Sequence, residues 1–287
     1  MTPRPLPEGT QHLTLPVPGA RLHLAGITPD GAGRGLFLLP GYTDHLERYG
    51  ELFAFFAGRG LAVWAMDPRG HGRSSGLRGR LGRFEEYLDD LHQALATARE
   101  RSGVARWALL GHSTGGLVAL SSLIRRPAAL ARWGVERVAV TSPLLAIRLP
   151  VPPLRRRLGE LVSGALPWLS LPAGGGDYAN SHDPEQEARR RADPLIFKWV
   201  NVRWFTEVCR EMAFVNAHAA DVDLPLLCLQ AGADRVVAPA AARAWCARCP
   251  AATYREYPEM FHEVLLETER RAVFADLAAW LKADSPG

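Results

Sequence analysis

The stretch Gly111-His112-Ser113-Thr114-Gly115 constrains this chain more than any other. It follows the apolar run Trp107-Ala108-Leu109-Leu110 and precedes Leu117-Val118-Ala119-Leu120, so the local order is buried strand, tight turn, helix. In a G-x-S-x-G turn the serine occupies a strained corner, and small residues two before and two after it let neighbouring backbone approach without a Cβ clash. The hydroxyl is thereby pushed out over the sheet. The helix beginning at the same corner directs unpaired N–H groups at whatever the serine attacks. A glycine-rich turn without chemistry would not require apolar runs on both sides.

Composition narrows the setting. The 287 residues suffice for a large core, and 47% hydrophobic with 22% charged residues is the balance of an ordinary globular protein. No run approaches the ~18–20 apolar residues that span a bilayer, and Met1-Thr2-Pro3-Arg4-Pro5 does not resemble a secretory signal, so the expectation is a cytoplasmic protein. A net charge of +4 is modest, and its densest clusters, Arg155-Arg156-Arg157 and Arg189-Arg190-Arg191, fall in one middle segment, which argues against a nucleic-acid partner. Cys246-Ala247-Arg248-Cys249 matches C-x-x-C, but no second pair completes a metal set. It is expected on an amphipathic helix with one thiol buried.

The rest of the chain supports an α/β alternation. His12 to Val17 and Arg21 to Ala25 alternate around Pro18-Gly19 and predict an antiparallel hairpin at a sheet edge. Gly35 to Leu39 and Leu61 to Met66 read as strands buried on both faces, with a helix from about Glu47 to Arg59 between them. A helix over Phe84 to Arg101, the serine elbow with its helix to about Arg125, and a strand over Val135 to Val140 continue the pattern. From about Leu144 to Asp223 the rhythm stops, replaced by proline, leucine, arginine triplets, Gly174-Gly175-Gly176 and aromatics. It resumes with a strand over Pro225 to Gln230, a helix over Ala240 to Arg248, a strand over Thr253 to Tyr257, and a helix from about Glu267 to Lys282. The expected fold is a mostly parallel twisted sheet with helices on both faces, its core formed by residues 1–143 and 224–287. Residues 144–223 are expected as an inserted helical cap over the strand carboxyl ends, where such sheets bind ligands.

A serine hydroxyl is a weak nucleophile at neutral pH and needs a base, and the base needs an orienting group. On an elbow of this type the partners follow in the chain order serine, acid, histidine, each after a later strand. Asp234 leaves the strand ending at Gln230, and His262 leaves the one ending at Tyr257. Taken singly, Asp234 could be a turn former or helix cap, and His262 a helix cap. Their joint placement favours the acid and the base. Asp67 and His71 precede the serine, Asp221 and Asp223 precede a strand, and His12, His23, His92 and His218 look like surface or packing positions. The oxyanion needs two preorganised donors, expected from the backbone N–H groups of Thr114 and Tyr42, with Gly41 giving the second turn its freedom.

These residues resemble the α/β-hydrolase superfamily, and within it the monoacylglycerol lipase and lysophospholipase group that includes the serine aminopeptidase-like hydrolases. The resemblance rests on Pro40-Gly41-Tyr42-Thr43-Asp44-His45 with Arg48-Tyr49, on Asp67 to Ser74, on Gly111 to Gly116, on Gly232 to Val237 and on His262-Glu263. It implies triad roles for Ser113, Asp234 and His262 and an oxyanion hole at the Tyr42 and Thr114 amides. Pro40 and Tyr42 depart from the usual His-Gly-small loop, so the Tyr42 ring is expected to narrow or roof the acyl pocket.

The expected reaction is hydrolysis of a carboxylic ester through an acyl-enzyme, with no metal or organic cofactor. Monoacylglycerols or lysophospholipids are the favoured substrates, with Gly41, Tyr42, His112, Leu144 and Leu145 placed at the substrate. Apolar cap residues, among them Leu149, Trp168, Leu169, Phe197 and Trp199, offer acyl surface, and nearby arginines suit peripheral membrane contact or simple solvation equally. Two rivals stand. An aminopeptidase or amidase would bind a substrate ammonium through Glu185, Glu187 or Asp193, and a non-catalytic binding protein would not depend on Ser113.

Overall fold

The computed structural model describes residues 5–148, 162–172 and 179–283. The expectations placed on Leu149, on Arg155 to Arg157 and on Gly174 to Gly176 lie outside the described residues. An eight-stranded sheet forms the frame: β1 (Gln11–Val17), β2 (Ala20–Ile27), β3 (Arg34–Leu39), β4 (Ala62–Met66), β5 (Arg106–His112), β6 (Val135–Thr141), β9 (Leu226–Ala231) and β10 (Ala252–Tyr257). Between β6 and β9 run two three-residue strands, β7 (Ser170–Pro172) and β8 (Trp199–Asn201). The helices are α1 (Gly50–Ala57), α2 (Glu85–Ser102), α3 (Thr114–Arg125), α4 (Pro127–Arg132), α5 (Pro184–Ala192), α6 (Val202–Ala217), α7 (Pro239–Cys246) and α8 (Arg270–Lys282), and residues 162–165 are helical too.

The sheet order is β1-β2-β4-β3-β5-β6-β9-β10. β2 pairs antiparallel with both β1 and β4, and every other neighbouring pair is parallel. Parallel strands are joined by crossovers that cover both faces, which explains why the central strands read as near-continuous apolar runs. Along β3, Phe37 and Leu39 enter a core shared with α2, α3, α6 and α7, whereas Leu36 and Leu38 face α1 and α8. Pro16 is tolerated because β1 is an edge strand.

The structure refines several local expectations. The helix expected over Glu47 to Arg59 is split into a 3-10 turn, Leu46–Tyr49, followed by α1. The break coincides with Arg48 and Tyr49 turning inward onto Asp44. The final helix begins at Arg270, later than expected, because Glu267 spends its carboxylate on the amides of Phe261, His182 and Thr268. Short helix α4, opened by Pro127, was not anticipated. The segment between β6 and β9 is not purely helical, since β7 and β8 form an antiparallel ribbon. Helix α7 ends at Cys246, so Cys249 lies beyond it, and both thiols are buried and free instead of one. Cys246 has Cys228 of β9 as its thiol neighbour.

The crossing of β5, α3 and β3 sets the position of the serine turn. A Cβ at Gly115 would lie 2.2 Å from the Leu39 carbonyl oxygen, and one at Gly111 would lie 2.4 Å from the Gly115 carbonyl oxygen. Neither neighbour is a flexible side chain, so the turn fits only without side chains there. Gly115→Ala is expected to lower unfolding stability in urea by about 1–3 kcal/mol, the usual range for overpacking; an unchanged midpoint would show that the strand can give way.

Candidate active site

Ser113 stands between the end of β5 and the first residue of α3 with φ 54° and ψ −114°, a conformation that costs a non-glycine residue about 1–3 kcal/mol. Three backbone hydrogen bonds hold it there. Its N–H donates to Thr141 O at 3.0 Å, and its carbonyl accepts from Leu117 N at 3.1 Å and Leu144 N at 3.0 Å.

The two residues expected as its partners converge on it from separate loops. Ser113 Oγ is 3.0 Å from His262 Nε2, and His262 Nδ1 is 2.8 Å from Asp234 Oδ2. With Nδ1–H donating to the carboxylate, Nε2 is left as the acceptor facing the hydroxyl. Asp234 Oδ1 accepts from Val236 N at 2.8 Å and Val237 N at 2.9 Å, so the residue is a turn former as well as a partner of the histidine. The start of the segment after β6 pins that turn further: Ile147 bridges Val237, and Arg148 donates to the Asp234 carbonyl. Asp234 is fully buried, with His262 and Ser113 only slightly exposed.

Burial alone would depress the His262 pKa, but the charge and hydrogen bond of Asp234, followed by the charge of Glu263, outweigh it and hold the imidazole above its ordinary value. Burial likewise pushes Asp234 upward. The facing His262 and the Val237 and Val236 amides more than offset this and keep the carboxylate below its ordinary range.

Thr114 is the first residue of α3, so its N–H belongs to the helix start that lacks intrahelical acceptors. A Cβ at Gly41 would lie 3.2 Å from Ser113 Cβ, which places Gly41 beside the Ser113 side chain. Gly41 and the first residue of α3 thus both adjoin Ser113.

Comparison with known proteins identifies the family and the fold. The family described as serine aminopeptidase, S33, matches residues 33–269. The chain belongs to that family. A monoacylglycerol lipase of Mycolicibacterium smegmatis is 30% identical over 284 residues, covering 95% of this chain and 96% of that protein. Phospholipase YtpA of Bacillus subtilis is 28% identical over 246 residues, covering 83% and 91%. Among solved structures, the monoacylglycerol lipase of Paleococcus ferrophilus superposes with a TM-score of 0.80 at 27% identity, covering 91% of this chain and 98% of that one. The fold is thus the α/β-hydrolase fold.

In this S33-family chain a buried charge group supports the histidine loop, and its role was not legible beforehand although its residues carried the resemblance. Glu263, next after His262, accepts from Arg48 NH1 at 3.0 Å and NH2 at 2.6 Å. Arg48 NH1 also donates to Asp44 Oδ1 at 2.9 Å, and Tyr49 OH donates to Asp44 Oδ2 at 2.5 Å. The Arg48 charge between them keeps both carboxylates ionised in spite of burial. Two negative charges against one positive leave an excess that favours the imidazolium form of His262. Burial of three charges cannot be inferred from spacing. The clue available was Glu263 adjoining the base.

His112, expected at the substrate, is buried with Nδ1 3.0 Å from Thr141 Oγ1 and its ring 5.0 Å from that of His262. Burial, and next the nearby His262, lower its pKa to about 4, so it stays neutral against the base. His71 donates its Nδ1–H to Arg69 O at 2.9 Å and burial lowers its pKa to about 4, while the Ser113 hydroxyl is partnered by His262. The Tyr42 ring stacks on Trp204 of α6 at 3.6 Å and meets Phe197 edge-on at 5.3 Å. Its hydroxyl donates to Gly79 O at 3.0 Å and accepts from Asn201 N at 3.3 Å. Tyr42 therefore joins the oxyanion loop to the segment above it. Leu144 and Leu145 are buried beside the elbow.

Because a general base works only when neutral and the His262 pKa is raised, ester turnover should fall as pH drops, with a midpoint above the ordinary ~6.5. Asp234→Asn should move that midpoint down and reduce kcat by about ten-thousandfold, through loss of the oriented tautomer. A wild-type profile flat between about pH 5 and 9 would remove His262 from the role of base.

Proposed function

We propose that this chain is a serine hydrolase that cleaves monoacylglycerol or lysophospholipid esters through an acyl-enzyme. The observation that carries the reading is the continuous Ser113–His262–Asp234 hydrogen-bonded chain at a strained elbow. His262 Nε2 takes the Ser113 proton as Oγ attacks the ester carbonyl, and the Tyr42 and Thr114 amides receive the oxyanion. The imidazolium returns its proton to the departing alcohol, and water then repeats the sequence to release the fatty acid. None of these steps requires a metal or organic cofactor.

The substrate assignment draws on the names of the relatives and on the surface above the site. In our reading residues 144–223 are the cap, and Gly41, Tyr42, Leu144 and Leu145 line its boundary with the core. Trp168 and Leu171 are 62% and 53% exposed beside the β7–β8 ribbon, and Trp199 Nε1 donates to Arg78 O, next to the 64% exposed Leu77. Large exposed apolar side chains of this kind suit contact with a lipid surface. No described helix is long and apolar enough to cross a membrane, so the contact we propose is peripheral. The buried free thiols of Cys228, Cys246 and Cys249 suit a reducing compartment and hence the cytoplasm.

The acidic groups that an aminopeptidase would need are engaged elsewhere. Glu185 pairs with Arg189 at 2.5 Å, and Glu187 caps Asn180 N at 2.8 Å and pairs with Arg190 at 2.9 Å. Asp193 is bound by His45 Nε2 at 2.9 Å and Leu195 N at 2.8 Å.

Rates measured on a panel of monoacylglycerols, lysophospholipids and amino-acyl anilides should show ester turnover and negligible anilide cleavage. Ser113→Ala should abolish ester turnover by at least about a thousandfold while leaving the circular dichroism spectrum unchanged. Faster anilide than ester cleavage would transfer the assignment to the peptidase reading. Trp168→Ser with Leu171→Ser should weaken sedimentation with phosphatidylglycerol vesicles and leave hydrolysis of a short soluble ester unaltered; undiminished vesicle binding would dismiss this surface as the contact.

A further inference from the structure

The hairpin at the outer edge of the sheet carries polar side chains that ester hydrolysis does not use. In the β1–β2 register His12 pairs with Ala25 and Thr14 with His23, which puts the two histidines diagonally on one face of the ribbon. Their rings stack with centroids 5.4 Å apart and 11° between planes, and His12 Nδ1 lies 3.1 Å from His23 Nε2. Glu47, in the 3-10 turn that follows the oxyanion loop, completes a group in which the candidate donor atoms all lie within 4.8 Å of one another.

The spacing suits a shared ion. Two imidazole nitrogens on one tetrahedral centre, each ~2.0–2.1 Å from it, stand about 3.3 Å apart. The observed separation is within a few tenths of an ångström of that value. His23 is also prepared from behind: its Nδ1 donates to Asp67 Oδ2 at 2.8 Å, which leaves Nε2 with the lone pair. Asp67 is fully buried and is itself fixed by the Leu46 amide at 2.8 Å and the Arg73 amide at 2.8 Å. A carboxylate that sets the tautomer and ring orientation of a histidine is the usual support of a metal ligand.

We propose that His12, His23 and Glu47 form a site for a divalent transition ion of the zinc class, with water completing its coordination. Two imidazoles and one carboxylate favour such ions over magnesium or calcium, which prefer all-oxygen sets. Arg73 competes for the same carboxylate, with Nε 2.5 Å from Glu47 Oε1 and NH2 3.2 Å from Oε2, but its side chain is 57% exposed and free to turn into solvent. Occupancy would tie the edge hairpin to the turn that carries Arg48 and Tyr49, and so brace the mount of the histidine loop without entering the reaction.

The test is titration of the full chain with Zn²⁺ and Co²⁺ by calorimetry, visible absorption and thermal melting. One ion per chain should bind, Co²⁺ should give visible absorption without thiolate charge-transfer bands, and Zn²⁺ but not Mg²⁺ should raise Tm by a few degrees. His12→Ala changes an exposed residue, so it should fold and hydrolyse ester normally while binding at least about tenfold more weakly. Arg73→Gln should tighten binding by releasing Glu47. Absence of one-to-one binding, equal affinity in His12→Ala, weaker binding in Arg73→Gln, or a thiolate spectrum pointing to Cys228, Cys246 or Cys249 would each overturn the proposal.

Discussion

The backbone of Ser113 at positive φ is the constraint on which the rest of this structure depends. Such a conformation persists in an L-residue only when its surroundings over-determine it. Here β6 holds the serine amide, α3 and the start of the following segment hold its carbonyl, and glycines at 111 and 115 let β3 and α3 close around it. The same corner sets the hydroxyl against His262 and starts α3 at the next residue. Backbone strain, the hydroxyl's position and the start of a helix are consequences of one chain reversal.

Around that corner the protein arranges charge so that the histidine can become positive without leaving a buried site. Asp234 does this directly, and the Asp44–Arg48–Glu263 group does it at one remove while anchoring the residue after the base. Removing one member of a buried charge set leaves the others uncompensated, which usually costs more than the intact set contributes. The group is therefore a positioning device whose parts are not interchangeable. Its location ties the turn after β3, through Arg48, to the loop that carries His262.

Tyr42 shows how the segment between β6 and β9 is coupled to the chemistry. It follows Gly41, which lies beside Ser113, and its ring and hydroxyl are held by Trp204, Phe197, Gly79 and Asn201. His45 makes a parallel link to Asp193, beyond the end of α5. The side chain expected to narrow or roof a pocket thus fastens the loop after β3 to the segment between β6 and β9.

The periodicity of the chain was enough to determine the alternation of strands and helices, the sheet-edge hairpin and the elbow, because buried parallel strands and amphipathic helices impose opposite apolar periods on sequence. Chain order then singled out Asp234 and His262, since each follows a strand whose carboxyl end must open at the same edge. What sequence could not decide is which charges are buried and with whom. Arg48 lies 215 positions from Glu263, and His12 lies 11 from His23 yet meets it only through hairpin register. The split at Tyr49 and the delayed start of α8 have the same origin: Asp44 and Glu267 draw local residues into long-range contacts that override helical propensity. Local pattern records which face of each element is apolar, but pairing energies between distant polar groups exist only once the backbone has brought them together.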